Sequence, residues 1–114
     1  MKILFLCTSN IHRSITAEDY FRSVTSSHEF KSAGLSEKYC KKHNSTLCTV
    51  ELLDWADKIF VMEPMHLERI ANYAGPHYSQ KIEVLGIDDI YQYNQPELIE
   101  VLRACKKLKF ILDE

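Results

Sequence analysis

Ile3-Leu4-Phe5-Leu6-Cys7-Thr8-Ser9-Asn10-Ile11-His12-Arg13-Ser14 decides the fold. The run from Ile3 to Leu6 is apolar without alternation, which suits a central strand buried on both faces. From Arg13 onward, Ile15, Tyr20, Phe21 and Val24 recur at helical spacing until the polar Thr25-Ser26-Ser27. A strand therefore enters a short loop and a helix leaves it. Five residues separate Cys7 from Arg13, and Ser14 follows at once. A loop of that length can curl its backbone N–H groups around one centre near the sulfur. Opening onto a helix N-terminus, such a nest is an anion site. The same field stabilises a thiolate, so Cys7 is expected to be a nucleophile. Arg13 offers a planar fork matched to two phosphoryl oxygens. Ser14 can donate a hydrogen bond to the sulfur, and Asn10 suits a left-handed turn inside the loop.

Working outward, the composition sets bounds. With 114 residues the chain is long enough for one domain, residues 1–114, and not two. A formal charge of −2 gives no whole-chain attraction to nucleic acid or anionic membranes. No apolar run approaches the ~20 residues needed to span a bilayer. Lys2 with Ile3–Leu6 imitates the start of a signal peptide but is too short and lacks a cleavage site. A cytoplasmic chain with reduced thiols at Cys7, Cys40, Cys48 and Cys105 is expected. His43 lies between Cys40 and Cys48, but the ligand spacing of a zinc site is missing, so no metal is assigned.

A second strand is expected over residues 29–33, ending at Gly34. Residues 35–48 read as a solvated connector with a short helix; Lys38, Lys41, Lys42 and His43 in it could alternatively form a basic rim. Thr49 is a candidate N-cap for a short helix through Trp55. A third strand follows over 58–62, and Pro64 fits the first turn of a helix that Gly75-Pro76 ends. Met62 and Met65 are both expected in the core. Residues 81–85 form a fourth strand, near an edge. From Pro96 a closing helix carries Leu98, Ile99, Val101, Leu102, Cys105 and Leu108 on one face. This alternation implies right-handed crossovers and an α/β three-layer sandwich around a four-stranded parallel sheet, flavodoxin-like and doubly wound. Sites in such sheets form at strand carboxyl ends, which brings the loop after strand four within reach of Cys7. Asp88 and Asp89 there are candidate general acids. Tyr91 and Tyr93 are candidate walls of a pocket.

Residues 4–18, LFLCTSNIHRSITAE, closely resemble the active-site loop of the low-molecular-weight protein tyrosine phosphatases. Ser32-Ala33-Gly34 and the approach to strand three, Trp55 to Glu63, also resemble that family. The resemblance implies a phosphomonoester hydrolase, a protein tyrosine phosphatase by type. Its chemistry would run through a phosphocysteine on Cys7 with Arg13 as catalytic partner. It further implies phosphate binding by Thr8, Ser9, Asn10, Ile11, His12 and Ser14, with no cofactor or metal. The partner would be a phosphorylated protein bearing phosphotyrosine, or a small phosphomonoester; neither nucleic acid nor membrane is expected. The family's general acid lies in an Asp-Pro-Tyr segment. Asp89-Ile90-Tyr91 keeps the Asp-x-Tyr spacing, so Asp89 fits better than Asp88, and Tyr91 becomes the substrate-facing aromatic.

The chain departs from the pattern in places. It is shorter than typical members, with the loss between Gly34 and Thr49. His12 stands where some members carry a second cysteine. Ile15 and Ile90 stand where the family often has proline. Two rival readings remain open. An arsenate reductase would need relay cysteines after strand three, and residues 61–75 contain none. A phosphate-binding regulatory module would use the same loop without turnover.

Overall fold

The computed structural model describes residues 1–113. The chain order is β1 (Lys2–Cys7), α1 (Arg13–Val24), β2 (Glu29–Gly34), α2 (Glu37–His43), α3 (Val50–Trp55), β3 (Lys58–Val61), α4 (Pro64–Ala74), β4 (Ile82–Val84) and α5 (Pro96–Ala104). Two 3₁₀ segments, Pro76–Lys81 and Lys106–Ile111, follow α4 and α5. The four strands form one sheet in the order β2-β1-β3-β4, every pairing parallel. This is the doubly wound, flavodoxin-like arrangement. The chain winds one way from β1 to β2 and the other way from β3 to β4, so the carboxyl end of β1 is the topological switch point.

β1 is central, as its unbroken apolar run requires. Its side chains alternate between the two faces. Ile3, Phe5 and Cys7 join Ala17 and Phe21 of α1, Leu98 and Leu102 of α5, and Leu108 and Ile111 of the last 3₁₀ segment. Leu4 and Leu6 face Leu53 of α3 and Ile70 of α4 on the other side. The Phe5 ring stacks against Phe21, Phe30 and Phe60 at centroid separations of 5.8, 6.3 and 5.8 Å.

Three expectations are corrected. The closing helix stops at Ala104 because Cys105 turns extended, with ψ 118°. A straight helix with Leu98, Leu102 and Cys105 inward would carry Lys109 into the core. The 3₁₀ segment, with three residues per turn, sends Leu108 and Ile111 inward instead. Cys105 is half-buried at the edge of that cluster. Met62 is fully buried, but Met65 is exposed, because the inward face of α4 is set by His66 and Ile70. The fourth strand is only three residues long, since Lys81 ends the preceding 3₁₀ segment with its ammonium on the Ala56 carbonyl at 2.6 Å.

The connector 35–48 does more than bridge. Ser36 caps α2, accepting from the Tyr39 amide, and Asn44 ends it in the left-handed region at φ 54°. The chain then returns beside β2, with reciprocal amide bonds between Gly34 and residues 46 and 48. On the way it grips the loop after β1. The Leu35 and Ser36 amides donate to the Cys7 and Thr8 carbonyls at 2.9 Å each, and the Ser45 hydroxyl donates to the Ser9 carbonyl at 2.5 Å. Thr49 caps α3, accepting from the Leu52 amide.

Candidate active site

Cys7 ends β1 and Arg13 begins α1, so residues 8–12 make the whole turn between sheet and helix. Asn10 adopts φ 56°. An asparagine tolerates that conformation better than most side chains, and here its side chain is also used. Its amide nitrogen donates to the Ser14 hydroxyl at 2.8 Å and the Ser32 hydroxyl at 2.9 Å. Ser32 donates in turn to Glu18 at 2.5 Å. Ser14 Oγ also meets Cys7 Sγ at 3.0 Å and lies 3.4 Å from the Ala33 carbonyl; against a Cys7 thiolate, which can only accept, the hydroxyl is the donor. The Asn10 backbone N–H also points at Cys7 Sγ, at 3.3 Å. The Ser14 hydroxyl and the Asn10 amide thus both meet the sulfur.

Arg13 is 2% exposed, an unusual place for a guanidinium. Its Nη1 donates to Glu63 Oε1 at 2.6 Å and to the Ile87 carbonyl at 2.7 Å. Its Nε faces Asp89 Oδ1 at 3.7 Å. Glu63 comes from the end of β3, where Pro64 starts α4 and holds the turn. His66, fully buried, ties that turn to the loop: its Nδ1 accepts from the Glu63 amide at 3.1 Å, and its ring contacts Thr8 Oγ1 through Nε2 at 2.9 Å. With Nδ1 an acceptor, Nε2 carries the hydrogen and donates to Thr8. Burial pushes this imidazole down to about 4, and the Arg13 charge adds to the effect, so it is neutral at pH 7.

Cys7, Thr8, Ser9, Ile11, His12, Arg13 and Asp89 line one small cavity. A larger cleft lies between the 35–48 connector and α4, lined by residues such as Leu35, Leu47, Arg69 and Tyr73. Neither Cys7 nor Arg13 lines it, and we place the candidate site at the small cavity, which both line. Asp89 lies on its rim, 64% exposed. Asp88 is exposed and is not part of the lining. Asn10 and Ser14 are buried and, against expectation, do not line the cavity. Tyr91 is half-buried against the α1/α5 cluster and does not line the cavity. Tyr93 sits beside α1, its hydroxyl donating to Asp19 at 2.6 Å.

Cys40 and Cys48 are buried near Gly34, and all four cysteines are free thiols. Burial, with Cys40 nearby, pushes the Cys48 thiol up to about 12. Among the described residues, no group of three His, Cys, Asp or Glu side chains is placed to hold a metal ion, and no helix is long and apolar enough to cross a membrane. Sequence reasoning missed Glu63, His66, Ser32, Glu18 and Ser45. Pro64 marked the start of α4, but nothing local signalled that the residue before it reaches Arg13.

Residues 2–52 match the sequence profile of the family described as low molecular weight phosphotyrosine protein phosphatase. A protein-arginine-phosphatase from Bacillus subtilis (strain 168) is 30% identical over 144 aligned positions, covering 94% of this chain and 95% of that protein. The solution structure of a low molecular weight protein tyrosine phosphatase from Bacillus subtilis is similar with a TM-score of 0.71 at 27% identity, over 99% of this chain and 97% of that one. An arginine phosphatase from Geobacillus stearothermophilus gives a TM-score of 0.63 at 25% identity, over 98% of this chain and 88% of the other.

Proposed function

This chain belongs to the low molecular weight phosphotyrosine protein phosphatase family, and from that premise we propose that it hydrolyses aryl phosphomonoesters, phosphotyrosine in proteins foremost, through a phosphocysteine on Cys7. The observation that carries the reading is the convergence of the Ser14 hydroxyl and the Asn10 amide on Cys7 Sγ, next to a buried Arg13.

In the first step the Cys7 thiolate attacks phosphorus in line, and the bond to the leaving oxygen breaks. The loop N–H groups and Arg13 stabilise the equatorial oxygens. Glu63 and the Ile87 carbonyl hold Nη1, so the Nε and Nη2 edge of the fork serves the phosphoryl group. An arriving phosphoryl group takes over that edge and frees Asp89, whose protonated carboxyl gives its hydrogen to the leaving oxygen and is left as the carboxylate. In the second step Asp89 removes a proton from water, which attacks the phosphocysteine. The S–P bond breaks, and Ser14 stabilises the departing sulfur. Arg13 and the N–H nest supply the positive charge, and no metal enters either step.

Ile11 in the lining of the cavity supports an aromatic leaving group. It gives an apolar surface to a phenyl ring and no hydrogen bond to a guanidinium. The second reading, phosphoarginine hydrolysis, is favoured by the 30% identical relative. The test compares kcat/KM on two peptides of one sequence, phosphorylated on tyrosine or on arginine. Faster turnover of the phosphotyrosine peptide supports the first reading. Faster turnover of the phosphoarginine peptide replaces it with the second. Turnover of neither, by folded and reduced protein, overturns both.

A further inference from the structure

The segment bearing Asp89 is fastened at both ends, and of the residues that make the second fastening only His12 also belongs to the phosphate loop. At its start, the Ile87 amide donates to the Met62 carbonyl at 2.9 Å and the Ile87 carbonyl accepts from Arg13. Its end meets α1. The Tyr93 amide donates to His12 Nδ1 at 3.0 Å, the Asn94 amide to Thr16 Oγ1 at 2.8 Å, and the Tyr93 hydroxyl to Asp19 Oδ2 at 2.6 Å. Positions 12, 16 and 19 are spaced i, i+4 and i+7, so they fall on one face of a helix. Asn94 at φ 59° turns the chain so that consecutive amides, of residues 93 and 94, both address that face. Between the two fastenings, Asp88, Asp89 and Ile90 are exposed, and Ile90 is 70% so. Packing therefore does little to fix Asp89. Tyr91 alone adds an apolar contact.

We propose that His12 at the N-cap of α1, with Thr16 and Asp19 on the helix, forms a three-point latch that grips residues 93 and 94 and so positions Asp89 over the Cys7–Arg13 cavity. His12 belongs at once to the phosphate loop and to the latch, which couples the two halves of the site. These are positioning residues, and the inference rests on Asp89 being the general acid. A misplaced acid matters in proportion to the need for it. An ester with a poor leaving group depends on protonation, whereas one with a good leaving group hardly does.

The test is kcat/KM on phenyl phosphate and on 2,4-dinitrophenyl phosphate, with the inhibition constant of inorganic phosphate as a readout of the loop. For the double variant Thr16→Val/Tyr93→Phe, phenyl phosphate turnover falls about tenfold or more. Dinitrophenyl phosphate turnover and phosphate inhibition stay within about twofold. Thr16→Ser alone, which keeps the acceptor and leaves Tyr93 intact, keeps the wild-type ratio. Amide exchange over residues 88–95 quickens in the double variant, a readout independent of turnover. Equal losses on both esters, or no loss and unchanged exchange, overturn the latch. Asp89→Asn run in parallel separates the two claims. If it shows the leaving-group dependence and the latch variants do not, the latch alone fails. If Asp89→Asn shows none, the acid assignment fails and the latch with it.

Discussion

Arg13 carries a permanent charge in a place almost closed to water, and Glu63 answers it at 2.6 Å. Removing one partner of such a pair leaves an uncompensated charge, so Glu63→Gln is expected to cost about 3 kcal/mol in urea denaturation. A cost below about 0.5 kcal/mol would mean that the pair behaves like an exposed one. His66 gives a second prediction. Its imidazole sits at about 4 in the fold, below the ordinary 6.5. Between those values the unfolded chain binds more protons than the native one, so stability is full above pH 6.5 and falls as pH drops towards 4. The loss is about 3 kcal/mol across that window. In His66→Gln the corresponding slope disappears; superimposable pH–stability curves for the two proteins would contradict the assignment. At this scale the sequence was uneven. Cys7, Asn10, Arg13 and Ser14 were legible because their geometry is local, a turn of eight residues. Glu63 and His66 were not, because the contacts that give them meaning reach back across some fifty residues of sequence.

Elements were legible where their patterns were regular. β1, α1, the capped start of α3 and the Pro64 start of α4 all follow from apolar spacing and caps. The closing helix was misread because its apolar stripe continues across Cys105 while the backbone does not. Only the inward placement of Leu108 and Ile111 reveals the change to 3₁₀ winding. Leu108→Ala should therefore cost about 2–5 kcal/mol, as for a core leucine, and not the small loss expected at an exposed helix end. The junction of β2 with the catalytic loop offers a sharper test. A Cβ at Gly34 would lie 2.4 Å from Cys40 Sγ, 2.8 Å from the Thr8 carbonyl oxygen and 2.9 Å from the Ser9 carbonyl carbon. Two of those neighbours are backbone of the loop and cannot rotate away. Gly34→Ala is expected to destabilise by about 1–3 kcal/mol and to lower turnover by displacing Thr8 and Ser9. Adding Cys40→Ala should restore only part of the loss. Full recovery would place the strain on the thiol alone.

For the whole molecule, the sheet order assembles the site. β1 and β3 are neighbours at the switch point, so the loop after β1 meets the turn after β3 and the segment after β4 at one edge. The parallel sheet and the reach of the segment after β4 to Cys7 followed from strand and helix alternation; the strand order and the part played by the turn after β3 did not. Which carboxylate reaches the cavity did not, since Asp88 and Asp89 differ only in how the 86–95 segment is laid across Arg13, and it is Asp89 that faces Nε. The measurement that bears most directly on the phosphocysteine chemistry is hydrolysis of p-nitrophenyl phosphate in EDTA by wild type and Cys7→Ser. The expected result is turnover in wild type despite the chelator, lost by about 10³-fold or more in folded Cys7→Ser. Turnover that needs a divalent metal, or that survives Cys7→Ser, would contradict it.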